Sequence, residues 1–102
     1  MDKKQFIEAG KVVNTHGVKG EVKIQVWLDS PKFLKNFKTV YIDNKAIKLL
    51  SSKVHKGFLI DHLYGVEDVN AAMSIKNKTV YIDLKDALVR KATNSLQDIQ
   101  RF

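Results

Sequence analysis

Gly17 and Gly20 stand three apart in His16-Gly17-Val18-Lys19-Gly20, with a histidine and a lysine in the same short stretch. Glycine reaches backbone conformations closed to other residues, so such a turn can hold polar side chains, and bare N–H groups, in one arrangement. The first chemistry this suggests is phosphate binding. A P-loop, however, pairs its lysine with a following Ser or Thr, and here Gly20 follows Lys19. No Gly-x-Gly-x-x-Gly follows a strand, no Gly-x-Ser-x-Gly elbow is present, and there is no cysteine nucleophile. The histidines are His16, His55 and His62, without the His-Glu-x-x-His spacing of a zinc site. His16 and His55 both fall in expected turns and could meet in space. Two turn histidines read as surface hydrogen-bonding groups, so no metal and no cofactor is expected. The residues point to binding, not catalysis.

The elements that must position these groups are short strands. Phe6 to Val13 reads as a first strand. In Glu21 to Leu28, Val22, Ile24, Val26 and Leu28 alternate with Glu21, Lys23, Gln25 and Trp27. That period of two marks a half-buried antiparallel strand. It leaves Trp27 on the polar side, under a partner, a second domain, the short helix or the Phe33–Phe37 segment. Asp29-Ser30-Pro31 stops the strand, since proline lacks a donor and restricts its predecessor. Phe33 and Phe37, four apart, share one face of a helical turn. Interleaved with Lys32, Lys35 and Lys38 they could bind nucleic acid by stacking and charge, but the favoured reading is that they plug the core with the lysines in water. Thr39–Asp43 and Ala46–Val54 are further strands around an Asn44-Lys45 hairpin loop. His55-Lys56-Gly57 is a second tight turn, with Gly57 free to take positive φ. Phe58–Leu63 follows. Asp68 caps a short helix to about Lys76, which Asn77 ends in the left-handed conformation. Thr79–Asp83 is the sixth strand.

Lys38-Thr39-Val40-Tyr41-Ile42-Asp43 recurs unchanged as residues 78–83. The flanks do not repeat, so we read two strands that solve one packing problem. From Leu84 onward, Leu84, Leu88, Ala92, Leu96 and Ile99 lie at helical spacing, interrupted by Thr93-Asn94-Ser95. Either a broken amphipathic helix or a loose tail fits. The expected fold is all-β: a six-stranded antiparallel barrel with one short helix and a C-terminal tail, its closure removing exposed edges.

The 102 residues fit one domain, and a hydrophobic fraction of 44% suffices for one core. The absence of cysteine excludes disulfides and thiolate sites. No apolar run is long enough for a signal peptide or membrane span, so a cytoplasmic protein without a membrane partner is expected. Lys+Arg is 18 against Asp+Glu 11, a formal charge of +7, and sixteen of the eighteen basic residues are lysine. Lysine attracts polyanions without the planar, bidentate contacts by which arginine reads them. The charge therefore suits either a nucleic-acid neighbourhood or a solvated, soluble surface.

The run Gly10-Lys11-Val12-Val13-Asn14-Thr15-His16-Gly17-Val18-Lys19-Gly20-Glu21-Val22-Lys23 resembles the opening motif of the RimM ribosome maturation factors. Asp29-Ser30-Pro31, Val54-His55-Lys56-Gly57 and Gly65-Val66-Glu67-Asp68-Val69-Asn70-Ala71-Ala72 resemble later family segments, in the same order. The resemblance covers about residues 6–84. It implies a translation-factor-like N-terminal β-barrel over residues 1–84, with 85–102 a tail or linker toward a PRC-type barrel outside these 102 residues. It further implies a non-enzymatic assembly factor and chaperone of the small (30S) ribosomal subunit and its 16S rRNA processing. The implied partners are the precursor's 16S rRNA and a head-region ribosomal protein, and the implied state is a monomer. Val69 and Met73 stand where the family tends to carry arginine and glutamate, Asn77 replaces a usual glycine, and the tail lacks the family's acidic, tyrosine-rich segment.

On this reading the binding groups are His16, Lys19, His55 and Lys56, in two turns at one end of the barrel, with Gly17, Gly20 and Gly57 shaping them. Two alternatives stay open. One is a flavin- or nucleotide-binding barrel, which a phosphate-holding turn would serve. The other is a general RNA-binding barrel, whose affinity would fall steeply with salt.

Overall fold

A computed structural model describes residues 5–28 and 30–90. The strands are β1 (Phe6–His16), β2 (Glu21–Val26), β3 (Thr39–Ile42), β4 (Lys45–His55), β5 (Phe58–Leu63) and β6 (Thr79–Asp83). Two short helices intervene, α1 (Pro31–Lys35) and α2 (Val69–Ser74). All pairings are antiparallel, and they close a barrel in the order β1-β2-β5-β4-β3-β6. This is the expected six-stranded barrel.

Alternation builds its interior. Val22 and Ile24 of β2, Val40 and Ile42 of β3, Leu59 and Leu63 of β5, and Val80 and Ile82 of β6 all point inward and are buried. The two Thr-Val-Tyr-Ile copies thus contribute the same two core residues and turn Tyr41 and Tyr81 outward. The copies are also neighbours: β3 pairs with β6, with Tyr41 opposite Tyr81. Asp61 shares the inner face of β5 with Leu59 and Leu63 and is fully buried. It accepts a 2.5 Å hydrogen bond from the Ser52 hydroxyl of β4.

Phe33 and Phe37 plug the core as expected. Ser30 caps α1, its Oγ accepting from Phe33 N, and Pro31 occupies the first turn. Phe33, Leu34 and Phe37 are buried, the two rings meeting edge to face at 5.2 Å. Asp68 caps α2, its Oδ1 accepting from Ala71 N at 2.8 Å, and Asn77 follows at φ 72°. Residues 84–90 are helical, with Ala87 buried in the core and the Arg90 guanidinium 4.8 Å from the Phe37 ring. The expected role of Asp29 and the interruption at Thr93-Asn94-Ser95 lie outside the described residues, as do Ala92, Leu96 and Ile99.

Two connections differ from expectation. β1 runs on to His16 instead of stopping at Val13, so Gly17–Gly20 and not Asn14–Gly20 joins it to β2. The β3–β4 turn differs as well. Ile42 pairs with Lys45, so the two-residue loop is Asp43-Asn44, not Asn44-Lys45. Both loop residues take positive φ, 54° and 64°, as a type I′ hairpin turn requires. Asp and Asn tolerate that region, whereas lysine there is costlier.

Strand lengths leave β4 unequally shared. Only its first four residues, Lys45 to Lys48, pair with the short β3. Its far half, Ser51 to His55, pairs with β5 alone. This half carries the His55 turn.

Candidate functional site

Each expected turn is built by its hairpin. In β1–β2, His16 pairs with Glu21, and Gly17 to Gly20 make the connection. Gly17 takes φ 72° and Gly20 φ 90°. The two glycines serve differently. A Cβ on Gly17 would meet open space, but one on Gly20 would sit 2.4 Å from the carbonyl oxygen of Val66 and 2.8 Å from Asp68 N. Gly20 is buried, so it seats the turn on the lead-in to α2 and presents nothing to a partner. Lys19, beside it, is exposed.

The second turn is tighter. His55 pairs with Phe58, leaving Lys56 and Gly57 as a two-residue loop at φ 51° and 82°. Gly57 fits the second position of a type I′ turn, but the first favours Asn, Asp or Gly. Lysine at positive φ costs about 1–2 kcal/mol. The chain therefore holds an exposed lysine in a conformation that its own backbone disfavours.

The His16 and His55 rings lie with centroids 6.5 Å apart, tilted by 58°. Both histidines stand at strand ends beside the turns, His16 closing β1 and His55 closing β4, rather than within the turns as expected, and there they come together. Lys23, on the outer face of β2, lies with Nζ 4.1 Å from the Phe58 ring centroid. Ile60 is the cross-strand partner of both Lys23 and Lys53, and it is buried although it stands outside the main core cluster. Lysine stems can cover such a residue while their ammonium heads stay in water.

Sequence reading placed Lys23 on the polar face of β2 but did not single out Lys23, Lys53 or Phe58 as site residues. Their juxtaposition depends on β5 lying between β2 and β4, which local periodicity does not reveal. His62, expected on the barrel surface, is part-buried with Nε2 3.4 Å from Glu67 Oε2. Among the described residues no three His, Cys, Asp or Glu side chains gather as a metal site. The arrangement offers ammonium and imidazole donors on a ridge with an apolar floor. That is chemistry for holding phosphates or acidic side chains.

The family model for the RimM N-terminal domain matches residues 7–87. The chain is 39% identical over 90 residues to the ribosome maturation factor RimM of Acetivibrio thermocellus, covering 82% of this chain and 52% of that protein. It is 31% identical over 83 residues to RimM of Clostridium novyi, covering 81% and 51%. This chain therefore spans about half the length of these curated relatives. Its fold is similar to the N-terminal domain of Thermus thermophilus RimM in solution, with a TM-score of 0.70 at 19% identity, covering 80% of this chain and 93% of that one. It is likewise similar to crystalline Pseudomonas aeruginosa RimM, with a TM-score of 0.72 at 22% identity over 79% of this chain and 52% of that one.

Proposed function

Because the chain belongs to the RimM N-terminal domain family, we propose that it is a non-enzymatic binding module that assists maturation of the small ribosomal subunit in the cytoplasm. Its partner on this reading is the pre-30S particle, through 16S rRNA or a head-region ribosomal protein. His16, Lys19, His55 and Lys56 form the contact surface, and Gly17, Gly20 and Gly57 set the backbone that presents them. The observation that carries the site is the meeting of His16 and His55 at 6.5 Å, which joins two turns 39 residues apart in sequence into one basic ridge. The choice of lysine at Lys56 adds support, because the turn needs positive φ there and favours Asn, Asp or Gly, and a residue kept against such a local preference is characteristic of functional positions.

Lys19→Ala combined with Lys56→Ala tests the site. The double variant should weaken co-sedimentation with pre-30S particles while stability stays within about 0.5 kcal/mol, as for ordinary surface substitutions. If both lysines neutralise single-strand phosphates, the log–log salt slope of binding should drop by about 1.4. Unchanged co-sedimentation would remove these turns from the interface.

A further inference from the structure

A cleft of about 460 Å³ opens on the opposite side of the strand order, over β1, β6 and β3. That volume falls within the range of about 300–1,000 Å³ typical of small-ligand sites. Each of the three strands contributes one outward ring to it: Phe6, Tyr81 and Tyr41. Phe6 is 39% exposed, and its ring reaches the Tyr41 ring at 4.6 Å, tilted by 51°. The polar rim is Asp43, Asn44 and Lys78, with Lys78 Nζ in an ion pair to Asp43 Oδ2.

The chemistry of the cleft is not that of a phosphate site. Its lysine is already neutralised by Asp43, and a second anion would meet that carboxylate. What remains are aromatic faces beside an amide and a carboxylate, which suit a flat heteroaromatic ring with hydrogen-bonding edges. Exposed aromatics on a sheet are a recurring platform for unstacked bases of single-stranded RNA. The protein's charge of +7 draws such a strand to the surface. We propose that the Phe6–Tyr41–Tyr81 cleft takes an unstacked nucleobase of single-stranded RNA, by stacking on its rings with the base edge toward Asp43 and Asn44. The site is separate from the His16–His55 ridge, and its choice of RNA rests on the ribosomal reading above.

The repeated hexapeptide gains a purpose here. Its two copies place Tyr41 opposite Tyr81, so a motif that packs two strands also sets two rings side by side on the outer face.

Binding of a fluorescein-labelled single-stranded RNA hexanucleotide, followed by anisotropy, tests this. Tyr81→Leu and Phe6→Leu should each weaken binding about tenfold, within the range measured for losing one base–aromatic stack. Circular dichroism and the melting temperature identify which variants keep the barrel, and two separate substitutions guard against one that does not. An abasic hexanucleotide should bind at least about tenfold more weakly than the base-bearing strand. Wild-type affinity in a folded Tyr81→Leu or Phe6→Leu variant would overturn the proposal, as would equal binding of the abasic strand. Equal affinity for free AMP or CMP would assign the cleft to mononucleotides and overturn its assignment to RNA. These readouts use isolated oligonucleotides, so they stand apart from the particle co-sedimentation that tests the lysine turns.

Discussion

Asp61 places a carboxyl group inside the barrel, where Oδ1 accepts from Ser52 and Oδ2 has no hydrogen-bond partner. Burial pushes its pKa up from 3.8 to about 7, against the opposing pull of the Ser52 hydrogen bond. Between those values the folded protein keeps a proton that the unfolded chain gives up. Stability should therefore be highest with respect to this group below about pH 3.8, decline as pH rises, and level off above about 7. A shift of this size corresponds to something on the order of 4 kcal/mol. Asp61→Asn should abolish that slope: urea midpoints at pH 4.5, 6 and 7.5 should show the variant gaining on the parent as pH rises. A constant difference would mean that Asp61 does not titrate in this window. Glycines give a second residue-scale prediction. Gly20→Ala combines positive φ with a backbone clash and should cost more than about 2 kcal/mol, whereas Gly17→Ala, in open space, should cost about 1–2 kcal/mol. Thermal unfolding of the pair separates seating from flexibility.

At the scale of elements, the Lys56-Gly57 connection would, on the proposed reading, set binding against stability. Lys56→Asn should raise the melting temperature, since asparagine accepts positive φ more readily, and should weaken association with pre-30S particles. A variant that gains stability and loses no binding would make the lysine incidental. The short helix α1 gives a plainer expectation: Phe33→Ala should cost about 3–5 kcal/mol, because a buried ring in edge contact with Phe37 leaves a cavity. Much of this level was legible in the sequence. The alternation in β2, the strand stop at Ser30-Pro31, the cap Asp68 and the left-handed Asn77 are all local signals, written within a few residues of where they act. The β3–β4 turn was misplaced by one residue because Asp43, Asn44 and Lys45 offer two overlapping loop choices, and only the register Ile42 to Lys45 decides between them. The cation–π contact of Lys23 with Phe58 and the aromatic cleft were not legible. Each depends on which distant strands become neighbours, and period-two patterning says which face a residue takes, not whose face it meets.

At the scale of the whole molecule, a formal charge of +7 favours polyanions broadly, and on the proposed reading the turns and the cleft set the geometry of contact. This chain matches about half of each of these curated relatives, and the rest of a longer protein can add contacts that raise overall affinity without changing either proposed site. The pairing of two identical strands carries a different consequence, for folding. A chain with two copies of Lys-Thr-Val-Tyr-Ile-Asp has two candidates for the place beside β4 and two for the place beside β1. Connection length breaks the tie. The first copy reaches β4 through a two-residue turn, a closure far cheaper than recruiting the second copy across more than twenty residues of chain. Once that hairpin has formed, the second copy is the one left to pair with β1 and close the barrel. Lengthening the Asp43-Asn44 turn with glycines should therefore slow folding and populate a mispaired species in stopped-flow refolding, even though every native contact outside the turn is preserved.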